Sequence, residues 1–196
     1  MANITFNPSL TSAPQNSFLL QTEGYVQGAF VDDPSSRMYL AGGIIAASVT
    51  QPMWGGMAIS ENIPALNSNQ MGATIGIAAT AGVIAGFSVF NQGYNGILTP
   101  NSVPQYAAGM TLMYFRLGSD ARIAVQCDAN VAAAVDGNAT NTPIYWNFTT
   151  QSLTATAGVA IQVKVLSVNS NSKVVSYNAT TGALTWIAGT SAIIQI

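Results

Sequence analysis

The chain has 196 residues, with five Lys or Arg, seven Asp or Glu, one cysteine and no histidine. Charged residues make up 6% of it, against roughly 25% in an ordinary soluble domain, while the hydrophobic share is 49%. A net charge of −2 with scattered cations leaves no basic stripe for phosphates, so direct nucleic-acid binding is not expected. Without histidine there is no imidazole triad and no His-ligated metal site, and one cysteine forms neither an internal disulfide nor a thiolate zinc site. The length suits one domain with a proper core. Its exterior, however, must be largely Asn, Gln, Ser, Thr, Gly and Ala, which repel neighbours weakly.

Residues 1–22 read as an extended N-terminal arm. Ile4, Phe6, Leu10, Phe18, Leu19 and Leu20 are spaced among polar residues, and Pro8 and Pro14 leave no helical period intact. Such side chains must lie on the chain's own domain or on a neighbouring subunit, and the six are the candidate inter-subunit contacts. Nothing in MANITFNPSL resembles a secretory signal, so synthesis in a cytoplasm is expected. Residues 23–196 form a single β-rich domain in this reading. GYVQGAFV is a strand candidate, and DDPSSRMYLAGG predicts one short helix, with Asp33 as cap, Pro34 in the first turn and Gly42-Gly43 as the stop.

From Ile44 onward strand signals dominate: IIAASVT, GMAIS, TIGIAAT and IAGFSVF are short runs bounded by Pro, Gly or Asn. The stretch Met71–Phe90 is uncharged and carries Gly72/Gly76 and Gly82/Gly86 spacings that match a membrane-helix dimer motif. β-branched residues and glycines argue for strands instead, and no Lys or Arg lies between Arg37 and Arg116 to orient a span. No membrane partner is expected. MTLMYFRLG and ARIAVQC, separated by Ser119-Asp120, suggest a hairpin, and Ile123, Val125 and Cys127 share one face. Residues 128–142 read as a loop with a helical turn at Val131–Val135. Ile161, Val163 and Val165 alternate with Gln162 and Lys164, and the break at Val165-Leu166 suggests a bulge. In the 156–196 region, KVVSYN, ATTG and ALTWIAG form the clearest hairpin, followed by SAIIQI. About ten to twelve short strands predict an all-β fold, an antiparallel β-sandwich or jelly roll.

Chemistry is hard to find. Glu23, Asp32, Asp33, Glu61, Asp120, Asp128 and Asp136 are the available carboxylates, and nothing marks two of them as an acid/base pair. Lys164 and Lys173 fall in strand-like runs, where a solvated face is the simpler reading than Ser–Lys catalysis. Cys127 reads as a small buried hydrophobe. PMWGGM lacks a phosphate-loop lysine, and the N-x-S/T triplets at Asn3, Asn138, Asn147 and Asn178 follow from composition. Trp54, Trp146 and Trp186, with Tyr94, Tyr106 and Tyr145, are candidates for a sugar-binding face, against the plainer reading of core and interface packing. The chain is expected to be no enzyme, with no catalytic residue, metal or cofactor.

The strings MANITFNPSLTSAPQNSFLLQTEGYVQGAFVDDPSSRMYLAGG, PMWGGMAISENIP, GFSVFNQ, YFRLGSDARIAV and WNFTTQSL resemble the capsid cement, or head-decoration, proteins of tailed bacteriophages of Gram-negative bacteria. The resemblance covers roughly residues 1–155; beyond it, only the hairpin-rich Ser/Asn/Thr/Gly texture is similar. It implies a virion structural protein on the outer capsid surface. Such a subunit self-associates as a dimer or trimer, binds the major capsid protein, bridges its neighbours and stabilises the DNA-filled shell. The alternative is a surface carbohydrate-binding β-sandwich module of adhesin type.

Overall fold

The computed structural model describes residues 24–31, 39–66, 69–90 and 102–196. The arm residues Ile4, Phe6, Leu10, Phe18, Leu19 and Leu20, and the carboxylates Glu23, Asp32 and Asp33, lie outside them. The described residues form twelve strands and one α-helix, an all-β architecture. In chain order the strands are β1 (Phe30–Val31), β2 (Leu40–Ile45), β3 (Ala58–Asn62), β4 (Thr74–Ile77), β5 (Gly86–Val89), β6 (Thr111–Arg116) and β7 (Arg122–Gln126). Helix α1 (Ala129–Val135) follows, then β8 (Ile144–Asn147), β9 (Ser152–Thr154), β10 (Ala160–Ile161), β11 (Lys164–Asn178) and β12 (Ala183–Gln195).

Five strands close into a barrel in the order β2-β4-β3-β5-β6. All its pairs are antiparallel except β2–β4, the parallel seam where Ile44 meets Thr74 and Ile45 meets Ile75. Closure brings backbones very near one another. A Cβ on Gly43 would sit 2.6 Å from Ile75 Cγ2, and one on Gly86 would sit 2.0 Å from the Phe115 carbonyl oxygen. These glycines therefore serve close strand approach. That accounts for Gly86 without a membrane-helix motif. The stretch once open to a helical reading is β4, a 3₁₀ turn at Ala81–Val83 and β5, and no helix among the described residues is long and apolar enough to cross a membrane.

Alternation along the barrel strands divides the core in two. Ile45, Ile59, Ile75, Leu112 and Tyr114 belong to one buried cluster, completed by Met53, Trp54, Met57 and Tyr106. Ala58, Phe87, Val89 and Phe115 belong to the other, where they meet the remaining sheets. One of those sheets is four-stranded, β1-β7-β12-β11, and contributes Ile123, Val125, Ala192 and Ile194. The other is three-stranded, β10-β8-β9, and contributes Ile144, Trp146, Leu153 and Ile161. The edge-to-face contact of Phe87 with Trp146, at 5.1 Å, ties barrel to sheet.

Two expectations are corrected. Leu40, Ala41, Gly42 and Gly43 do not end a helix: they lie in β2, and Leu40 to Ile44 pair antiparallel with Phe115 to Thr111. A short capped-helix signal is worth little against a tertiary strand ladder on both edges. The rest of that predicted helix falls outside the described residues. Nor do MTLMYFRLG and ARIAVQC make a hairpin. β6 pairs with β2 and β5, whereas β7 pairs with β1 and β12, so Ser119-Asp120 is a crossing from barrel to sheet. Local alternation could not reveal that the partner of β7 comes from the end of the chain.

Other readings hold. The β11–β12 hairpin is present, with its turn at residues 179–182 and a register shift at Val165/Ser167, where the bulge was expected. SAIIQI is not a separate run but the second half of β12. The helical turn expected at Val131–Val135 is α1, whose cap Asp128 accepts from the N–H groups of Asn130 (2.9 Å) and Val131 (3.2 Å).

Candidate functional site

The candidate carboxylates are dispersed by the fold. Asp128 is occupied as a helix cap and also accepts from Thr154 Oγ1 at 2.5 Å. Asp136 closes the other end of the same helix, and Asp120 sits in the β6–β7 crossing, where it accepts from Gln195 Nε2 at 3.3 Å. Among the described residues no group of three His, Cys, Asp or Glu side chains is placed to hold a metal ion.

Glu61 stands in an ion pair with Arg116. It lies near the end of β3, Arg116 lies at the end of β6, and β5 runs between them. Gly86, opposite Arg116 in the ladder, has no side chain to obstruct the guanidinium. Arg116 therefore reaches Glu61 bidentately, through Nη2 to Oε1 at 2.6 Å and Nε to Oε2 at 2.8 Å. The Tyr114 hydroxyl lies 3.4 Å from Arg116 Nη2. The hydrogen bonds from Arg116 hold the Glu61 carboxyl below its ordinary range, and those to Glu61 raise the guanidinium pKa. Burial, reinforced by the Glu61 charge, raises that of Tyr114. A carboxylate clamped in this way is a structural ion pair and a poor proton carrier.

Cys127 is buried beside Ile123 and Val125 as expected, and burial, with the neighbouring Asp128 charge, pushes its thiol up to about 12. Lys164 is exposed on β11. Lys173 is half-buried, its ammonium 5.1 Å from the Trp186 ring centre, and burial lowers its pKa. Both core tryptophans are spent on packing: Trp54 lies 5.6 Å from Tyr177, and Trp146 donates from Nε1 to Gln151 Oε1 at 3.3 Å. Trp186 donates to the Ser102 carbonyl at 3.1 Å. Tyr106 is buried and Tyr145 half-buried, while Tyr94 lies outside the described residues. The plainer reading of the described aromatics, as core and packing residues, is the one the structure shows.

The unusual surface is the β3–β4 connection. Ile63 is 93% exposed, Leu66 92% and Met71 99%. The connection 63–73 carries no charged residue. At its base an open groove is lined by Ile63, Pro64, Ala73 and Ala85, with the Glu61–Arg116 pair on its rim. Sequence reasoning missed it because apolar residues among Pro, Asn, Ser and Gln carry no strand or helix period. The available signal was three large apolar residues in a segment with no periodic partner.

Comparison with protein-family models, with curated proteins and with solved structures gives no match for this chain.

Proposed function

We propose that this chain is a structural subunit of a tailed-phage virion, a capsid cement protein that covers the outer head surface and bridges major capsid proteins. One observation carries the reading: three large apolar side chains stand almost wholly in solvent on an uncharged connection. Burying a side chain of that size is worth about 1.5–3 kcal/mol, so three left bare suit a surface that is covered in its working state. A chain with 6% charged residues has little electrostatic defence against association, and many copies on a closed shell add avidity to modest contacts. The scattered carboxylates and the clamped Glu61 fit a mechanical, non-enzymatic role.

A sandwich or jelly-roll description of the fold belongs to the same reading. What supports it is the common apolar layer between one wall of the barrel and the four-stranded sheet. Self-association and the assignment of the arm residues to inter-subunit contact are further parts of the proposal. The test is co-sedimentation of the chain with DNA-filled heads at a copy number locked to that of the major capsid protein. Heads that lack the chain and withstand heat equally well would overturn it.

A further inference from the structure

Sheet edges are covered unevenly in this molecule. The five-stranded barrel is closed, β1 and β10 are 2 residues long and β9 is 3, and the outer edge of β11 is met by Val26, which bridges Lys173 in parallel. β12 differs along its length. Its residues Ser191–Gln195 pair with β7, but β7 ends at Gln126, and no described strand lies beside Ala183–Gly189 on that side. The direction of the backbone groups follows from the β11 ladder. Lys173 N–H donates to the Tyr25 carbonyl at 2.8 Å, its carbonyl accepts from Gln27 N–H at 2.9 Å, and Val175 N–H donates to Gln27 Oε1 at 2.8 Å, so both residues point away from β12. Their ladder partners Ala188 and Trp186 therefore point away from β11, as does Leu184 opposite Tyr177. Leu184 and Trp186 thus present N–H and C=O groups along an edge with no charged residue, no proline and no register shift.

We infer that this edge pairs antiparallel with the same edge of a second copy, about a two-fold axis through Thr185. The register sets Leu184 opposite the second copy's Trp186, Thr185 opposite the second copy's Thr185, and Ile187 opposite the second copy's Ala183. An axis through Trp186 would instead set the second copy's Gly182 beside Thr190, a place that Cys127 already holds through its N–H bond to the Thr190 carbonyl at 3.0 Å. A second copy is the occupant because the edge is complementary to itself. Antiparallel pairing about a two-fold axis matches each outward donor with an acceptor of the identical strand and closes at two copies. The half-buried Leu184 and Trp186 then meet across the interface on one face. On the other face exposed Thr185 meets its own counterpart, and Ile187, 46% exposed, gains a neighbour. An uncharged strand carries no charge pattern to select a different partner and no repulsion against its own kind. The inference rests on the self-association in the reading above but needs no head. It is read on the isolated chain, and its failure leaves co-sedimentation with heads untouched.

The test is a single new cysteine in the full chain. Thr185→Cys stands on the axis, where the Cα atoms of a directly opposed, non-hydrogen-bonded pair lie about 4.5 Å apart, within disulfide reach. Mild oxidation should convert it mainly to a covalent dimer. Ile187→Cys, whose counterpart would lie about 13 Å along the strand, should stay mainly monomeric. Cys127 is buried with its thiol pushed up to about 12 and stays out of the exchange. Equal dimer yields from the two variants, or no dimer from Thr185→Cys, would overturn the inference. Independently, sedimentation equilibrium of the unaltered chain should show monomer and dimer without trimer. Thr185→Lys sets like charges opposite each other at an exposed position and should weaken that dimer about fivefold or more. A chain that is monomeric at every concentration, a trimer, or a dimer indifferent to Thr185→Lys would each overturn it.

Discussion

Two strand connections of this molecule are built on opposite terms. The β11–β12 turn is made for water: Asn178 Oδ1 accepts from Thr180 N–H at 2.9 Å and Thr181 N–H at 3.2 Å, and Gly182, at φ +70°, returns its N–H to the Asn178 carbonyl at 2.8 Å. Its polar groups find partners within the turn, and it holds no large apolar side chain. The β3–β4 connection does the reverse. There Gln70 Nε2 reaches Thr74 Oγ1 at 3.1 Å, but Ile63, Leu66 and Met71 have nothing apolar covering them among the described residues. Large apolar side chains are exposed elsewhere too, Val159 and Tyr39 among them, but the three most exposed of the described residues all stand on this one connection. That concentration of the most exposed apolar side chains on one uncharged connection is what suits an interaction surface.

Substitutions can break that contrast. The largest effect is expected from Ile63→Ser, Leu66→Ser and Met71→Ser together. Affinity for DNA-filled heads should fall by about a hundredfold or more, since buried anchors of an interface cost 2 kcal/mol or more each. Folding stability, read from a urea midpoint, should change by less than about 0.5 kcal/mol per site, because exposed side chains contribute little. A matching loss of stability would show that the loop packs at home.

The β11–β12 turn should respond in the opposite sense. Gly182→Val forces a β-branched residue into left-handed backbone, and stability should drop by about 1–2 kcal/mol in the same urea titration, with head binding untouched. Asn178→Ala removes the acceptor for two N–H groups and should cost about 1 kcal/mol.

The smallest effect belongs to the ion pair at the groove rim. Glu61→Gln should cost less than about 1 kcal/mol, because the Arg116 side chain is 56% exposed and solvent screens the pair. The pH dependence has a definite sign. Arg116 depresses the folded pKa of Glu61, so the unfolded chain binds its proton first as pH falls. The contribution is therefore complete above the unfolded carboxylate pKa and lost as pH drops through the lower folded value. Acid titration of stability, with and without Glu61→Gln, should show that one step disappear.

Much of the architecture was legible locally. The alternation of Ile161, Val163 and Val165 located a half-buried run, its break at Leu166 located the bulge, and Asn178 to Gly182 located the hairpin turn. Cys127 was readable as core from its phase with Ile123 and Val125. What failed were inferences about partners. Gly42 and Gly43 look like a helix stop in isolation, and only the parallel seam with β4 shows why Gly43 carries no side chain. β6 and β7 look like a hairpin until β12, from the far end of the chain, takes the place beside β7.

Sequence alone determined that this is a β-rich, nearly uncharged chain without histidine, because composition and period-two alternation are local properties. Only the tertiary structure decided which strands close into a barrel, that Glu61 is locked by Arg116, that Trp54 and Trp146 are core, and that Ile63, Leu66 and Met71 are left bare. Those outcomes depend on which distant segments meet. Strand pairing couples residues far apart in sequence, and no local pattern encodes the choice of partner.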